Sequence, residues 1–125
     1  MEGYFTAATE DSPSIAFDAE KGFIEIAGKS LPENANACYN PLFNLVKEYV
    51  KSPQQKTTVN FRLLYLNSSS AKKILEIITI LEWLPKQGHQ VDLFWHYNAN
   101  DEDMHEEGEE FKRMTDLEVK LISEQ

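Results

Sequence analysis

Several things that would have directed the reading of this chain are scarce in it. Cys38 is the single cysteine among 125 residues, so no intrachain disulfide can form. It also lacks the sequence signature of a nucleophile. The five glycines include no glycine-rich phosphate loop, which removes that route to nucleotide binding. No apolar run approaches the ~20 residues of a membrane-spanning helix. The segment Met1-Glu2-Gly3-Tyr4-Phe5 lacks the basic and long apolar regions of a secretory signal, and a cytoplasmic location is expected. Basic residues are few as well: 12 Lys and Arg against 21 Asp and Glu, a formal charge of −9. Phosphate backbones and anionic lipid surfaces repel such a chain, which speaks against nucleic acid and membrane as partners. The charge either keeps the protein soluble or forms an acidic face for a basic partner. His89, His96 and His105 show no metal-ligand spacing, and no metal or cofactor is expected.

What is present suits one globular domain over residues 1–125. Apolar residues make up 42% and charged residues 26%, an ordinary balance that argues against disorder. A chain of this size buries roughly two-thirds of its unfolded surface, enough for one core.

The hydrophobic patterning predicts an α/β fold. Ser14 to Phe17 and Phe23 to Ala27 read as a hairpin around Asp18-Ala19-Glu20-Lys21-Gly22. Gly28 to Asn40 reads as a loop. Asn40 and Pro41 then supply a cap and a first helical residue for a helix whose apolar stripe is Leu42, Leu45, Val46, Tyr49 and Val50. Thr57 to Leu66 is the clearest strand. Val59, Phe61, Leu63 and Tyr65 share one face. The other face turns apolar at Leu64 and Leu66, as in a central strand covered by helices. From Ser69 to Gln87 the period becomes helical, with Gly88 as terminator. Gln90 to Tyr97 is a further strand, completing a βαβ unit with parallel strands. Asp101 to Thr115 is a third helix, and Leu117 to Ile122 a closing strand. The expectation is a mixed sheet of about five strands with three main helices and a core of Phe61, Leu63, Ile74, Ile78, Leu81, Leu93 and Trp95.

Chemistry concentrates at the join between the Thr57–Leu66 strand and the next helix. Asn67, Ser68, Ser69 and Ser70 are all capping residue types, although one cap suffices and is worth only ~1 kcal/mol. Lys72 and Lys73 follow in the first turn, where cations oppose the helix dipole unless an anion visits. The free N–H groups of a helix start favour such an anion. A hydroxyl here can cap the helix or receive a phosphate. Other matches fall short. Ser69-Ser70-Ala71-Lys72 fits the S-x-x-K pattern of acyl-transferring serine enzymes, but the S-D-N and K-T-G partners are absent. Counted from Asp101 as a calcium loop, the sixth position is Glu106 rather than Gly and the twelfth is Lys112 rather than Glu. The acidic run from Asp101 to Glu110 is therefore a solvated helix face or a docking surface.

Three segments carry a family likeness. They are Gly28-Lys29-Ser30-Leu31-Pro32-Glu33-Asn34, then Leu64-Tyr65-Leu66-Asn67-Ser68-Ser69-Ser70-Ala71-Lys72, then Trp95-His96-Tyr97 with Glu107-Gly108-Glu109-Glu110-Phe111. In this order, spanning about residues 14 to 122, the chain resembles the SiaC family of bacterial regulatory phosphoproteins. The resemblance implies a single STAS-like domain and a non-enzymatic switch. It implies phosphorylation by a dedicated Ser/Thr kinase, removal of the phosphate by a PP2C-like phosphatase, and activation of a diguanylate cyclase by the unphosphorylated form in biofilm or aggregation signalling. Carried over, the acceptor falls on Ser68, where the family commonly has Thr. Asn67, Ser69, Ser70 and Lys72 form the surrounding switch surface.

A phosphate adds about −1.5 to −2 charges and three acceptor oxygens. On Ser68 it would lie near free N–H groups and Lys72, and it would repel an acidic partner surface. One alternative keeps the fold and changes the partner: a STAS-type antagonist of an anti-sigma factor in a partner-switching system. Another is a small enzyme using Ser68 or His96. It requires a base beside the nucleophile, and no sequence feature supplies one.

Overall fold

A computed structural model describes residues 3–125. Met1 and Glu2, part of the segment read above for a secretory signal, lie outside the described residues. Six strands form one sheet whose spatial order follows the chain: β1 (Gly3–Thr6), β2 (Ser14–Asp18), β3 (Phe23–Ser30), β4 (Lys56–Leu66), β5 (Gln90–Asn98) and β6 (Val119–Glu124). β1, β2 and β3 pair antiparallel, and β3 through β6 pair parallel. The mixed α/β class holds, with one strand beyond the expected five. That strand, β1, has only 4 residues, too few to show a periodicity.

The helices are α1 (Ala35–Tyr49), α2 (Ser68–Leu81), the single turn α3 (Trp83–Lys86) and α4 (Glu102–Met114). Each parallel step of the sheet crosses over through one of them. Crossovers are right-handed, and every step moves the same way across the sheet, so the helices lie on one face. The strands alternate to match. Ile15, Ile26, Val59, Phe61, Leu93 and Trp95 are buried beneath the helices, while Glu25, Asn60, Phe94 and His96 are half-buried on the open face. β4 is internal, as predicted, and all seven predicted core residues are at most 3% exposed.

Several boundaries and one strand face differ from the prediction: β3 runs on to Ser30, into the stretch expected as a loop, and the closing strand is Val119–Glu124 rather than Leu117 to Ile122. α1 starts at Ala35, and the Asn34 side chain accepts from the Ala37 N–H at 3.0 Å. Asn40 and Pro41 lie inside the helix rather than at its start. An interior proline loses one bond and crowds a carbonyl, at about 3 kcal/mol or more. In return the extra turn buries Ala35 and Tyr39 and brings the Tyr39 hydroxyl 2.6 Å from Ser30. The helix predicted over 69–87 is broken at Glu82, because Pro85 has no N–H for the Leu81 carbonyl. The second face of β4 is not covered, since no helix lies on that side of the sheet.

α4 sits close on the sheet. A Cβ at Gly108 would fall 2.5 Å from Trp95 Cδ1 and 2.7 Å from Leu121 Cδ2, so glycine permits the approach. Trp95 Nε1 donates to the Met104 carbonyl at 3.0 Å, locking the first turns of α4 to β5.

Candidate functional site

The end of β4 departs from regular strand geometry. Its pairing with β3 runs to Gly28↔Leu63 and resumes at Lys29↔Tyr65. Leu64 is thereby the extra residue of a β-bulge opposite Gly28, whose φ of 103° suits glycine. The bulge resets the alternation of side chains. Tyr65, expected in the buried row, is 58% exposed, and Leu64 is 57% exposed. On its other edge β4 pairs with β5 only as far as Phe61↔Trp95. The two strands then part, and the first turns of α4 face the gap.

α2 begins directly after β4. Asn67 is extended (φ −88°, ψ 169°), and its Oδ1 accepts from the Ser70 N–H at 2.9 Å and from Ser69 Oγ at 3.3 Å. The Asn67 N–H donates to the Ser30 carbonyl at 3.0 Å, which ties the join to the end of β3. Beneath it lies a chain of buried hydroxyls. Ser30 Oγ donates to Ser70 Oγ at 2.8 Å, so the Tyr39 hydroxyl is the donor in its 2.6 Å contact with Ser30. Burial pushes the Tyr39 phenol well above its ordinary pKa, which keeps that proton in place.

The three serines thus have three different surroundings. Ser70, expected at the surface, is fully buried and anchors the helix from below. Ser69 is exposed but bonded to the cap. Ser68, the first residue of α2, is exposed, and among the described residues no partner holds its hydroxyl. The cap also leaves the N–H groups of Ser68 and Ser69 unused. Lys72 is exposed one turn along. Lys73 is engaged elsewhere, 3.1 Å from Glu76 and 5.4 Å from the centre of the Phe43 ring. The structure brings Asn67, Ser68, Ser69 and Lys72 together on the surface of one helical turn.

A groove opens beside this turn. Leu64, Tyr65 and Leu66 form one side of a space of about 510 Å³, and Asp103, Glu106, Glu107 and Glu110 line the other. It continues into a smaller hollow of about 250 Å³ between Ala71, Leu75, Phe111 and Met114. Burial, and then the Glu110 carboxylate, raise the pKa of Glu107 above the ordinary carboxylate value. Sequence reasoning missed the exposure of Leu64 and Tyr65, although Gly28 inside a strand pattern is a bulge signal. It also missed the contact of Ser30 and Tyr39 with this join, since they precede Ser70 by 40 and 31 positions and nothing in the segment around Ser30 points to Ser70.

His96 lies on the opposite face of the sheet, 3.1 Å from Asn60 Oδ1 and 3.1 Å from Glu124 Oε2. It is not brought to Ser68. Among the described residues no group of three or more His, Cys, Asp or Glu is placed to hold a metal ion, and no helix is long and apolar enough to cross a membrane.

Comparison with known proteins gives the same picture at full length. A family model described as "SiaC family regulatory phosphoprotein" matches residues 6–124. An uncharacterized protein of Pseudomonas aeruginosa (strain UCBPP-PA14) is 34% identical over 112 residues, covering 90% of this chain and 89% of that protein. The structure of SiaC of Pseudomonas aeruginosa superposes with a TM-score of 0.90 at 28% identity, covering 99% of this chain and 100% of the other. A chain in the crystal structure of the diguanylate cyclase SiaD in complex with its activator SiaC, from the same organism, superposes with a TM-score of 0.90 at 29% identity, covering 97% of this chain and 99% of that one.

Proposed function

The chain belongs to the SiaC family of regulatory phosphoproteins, and from that premise we propose that it is a cytoplasmic, non-enzymatic switch that binds and activates a diguanylate cyclase under the control of a phosphate on Ser68. The observation that carries the reading is the unequal treatment of three adjacent serines. Ser70 is buried and Ser69 is held by the cap, while Ser68 stands free in solvent. A kinase needs a hydroxyl that it can reach without unfolding the helix start, and Ser68 meets that need.

The same turn can receive the product. A phosphate on Ser68 lies beside the unused N–H groups of Ser68 and Ser69 and one turn from Lys72, where a helix start favours an anion. The modification therefore changes the surface more than the fold. A neutral hydroxyl on the exposed first turn of α2 becomes a strongly hydrated group of about −1.5 to −2 charges. Burying that group in an interface is costly through desolvation. A Ser/Thr kinase and a PP2C-like phosphatase set the state, and the chain, acting as one regulatory domain over residues 1–125, conveys it.

The test is phosphorylation of the purified chain by its cognate kinase, with the site mapped by mass spectrometry. The phosphate is expected on Ser68 and absent in Ser68→Ala. Full incorporation into Ser68→Ala would overturn the assignment.

A further inference from the structure

We propose that β6, the free edge of the sheet, pairs antiparallel with β6 of a second copy of this chain across a two-fold axis at Ile122. β6 is the last strand in the order of the sheet. An edge strand leaves a row of N–H and C=O groups unpaired, and natural edges are blunted by bulges, prolines or a covering segment. Among the described residues β6 shows none of these. Its pairing with β5 runs without a shift from Leu93↔Val119 to Asn98↔Glu124, and it contains no proline. α4 packs on the face of the strand, with Leu121 against Gly108, and leaves the edge open.

Backbone direction limits the register. The Ala99 N–H, just past β5, donates to the Glu124 carbonyl at 2.7 Å, so the backbone groups of Lys120, Ile122 and Glu124 point toward β5. Those of Val119, Leu121 and Ser123 point outward, because the direction alternates along a strand. With the axis at Ile122, Leu121 of one copy exchanges both backbone bonds with Ser123 of the other. Ile122 meets Ile122 as a close pair without hydrogen bonds, and Lys120 stands opposite Glu124 at the same short spacing. A lone lysine on an edge strand deters pairing; here the two-fold sets a carboxylate against it. Both side chains can bridge. Lys120 is 40% and Glu124 46% exposed, and Arg62 and His96 both contact Oε2 of Glu124, leaving Oε1.

The charge of −9 on each copy opposes association, so the surfaces brought close must be locally balanced. α4 turns its acidic flank, with Asp103, Glu107 and Glu110, toward the groove. His105, Glu109 and Lys112 recur at i, i+4 and i+7 on the opposite flank, toward β6, and carry one carboxylate and one ammonium. The other edge of the sheet fits less well. β1 has 4 residues and no charged side chain, and a β1–β6 contact would be head-to-tail, without the self-complementarity of a two-fold.

Sedimentation equilibrium carried to about 1 mM, where a contact of small area is still populated, should show a reversible approach to twice the 14.4 kDa of one chain. Hydrogen exchange at the Leu121 and Ser123 amides should slow as concentration rises. Ser123→Pro removes an outward N–H at an edge position where proline is tolerated. It should weaken the dimer at least about tenfold and leave the urea midpoint of dilute protein unchanged. Lys120→Glu and Glu124→Lys should each abolish the dimer, because each sets like charges opposite one another. An equimolar mixture of the two should regain it as a heterodimer, a result that only this register produces. A mass of one chain throughout, a dimer indifferent to Ser123→Pro, slowed exchange confined to other elements, or a mixture of folded single variants that stays monomeric would overturn the proposal.

Discussion

Removing the Ser30 hydroxyl should destabilise the protein more than removing the Tyr39 hydroxyl, although one bond joins them. Both residues, with Ser70, are fully buried. Ser30→Ala breaks the contacts of 2.6 Å and 2.8 Å and strands the Tyr39 O–H without an acceptor. Two net hydrogen bonds and one unsatisfied buried donor together amount to about 2–6 kcal/mol. Tyr39→Phe removes the donor along with its bond and leaves Ser30 still donating to Ser70, for about 1 kcal/mol. Adding Tyr39→Phe to Ser30→Ala removes the stranded group, so the double variant should be no less stable than Ser30→Ala alone. Ser68→Ala breaks no bond and should stay within about 0.5 kcal/mol of the parent. Urea melts with a common m-value give the comparison through their midpoints. If Tyr39→Phe cost as much as Ser30→Ala, or if the two losses simply added, the hydroxyl chain would not be wired as described.

Three further outcomes are expected. Asn67→Ala should lose about 1 kcal/mol of stability through the cap, and a cost comparable to a core cavity in the same melts would contradict a role confined to capping. Gly108→Ala should destabilise despite a helix-propensity gain of about 1 kcal/mol, because the added methyl meets Trp95 and Leu121 and overpacking costs about 1–3 kcal/mol; unchanged near-UV circular dichroism and an unchanged midpoint would count against the close approach. Burial and Glu110 raise the pKa of Glu107 above its unfolded value, so its contribution is fully present below the unfolded pKa and lost as pH rises through the folded one. Glu107→Gln should therefore gain on the parent at neutral pH and gain less in acid, and melts showing the larger gain in acid would refute the sign.

The buried rows of β4 and β5 and the stripe of α2 were legible in the sequence, because alternation and helical periodicity report burial directly. The start of α2 directly after β4 was legible too, since a run of capping residue types stands out; Ser68 as the acceptor came from the family likeness. What was not legible came from tertiary contacts. Asn40-Pro41 reads as a helix start, yet Asn34 caps α1, because burying Ala35 and bonding Tyr39 to Ser30 offset an interior proline. The fates of Ser68 and Ser70 were not separable in sequence; only the approach of Ser30 from β3 distinguishes them. The exposure of Leu64 and Tyr65 depends on a bulge whose one local sign is Gly28. The acidic run of α4 gave no hint that β4 and β5 part beside it and turn one flank of a solvated helix into the wall of a groove.

The central claim is that a phosphate on Ser68 decides whether the chain engages its effector. The most direct measurement places phosphoserine at position 68 by genetic encoding, without a kinase, and compares its affinity for the cognate diguanylate cyclase with that of the unmodified chain. The unmodified chain should bind and raise cyclase output. The phosphorylated chain, with an unchanged urea midpoint, should bind at least about tenfold more weakly, the factor that 1.4 kcal/mol of lost interface energy produces. Equal affinity and equal cyclase output from the two forms would contradict the account.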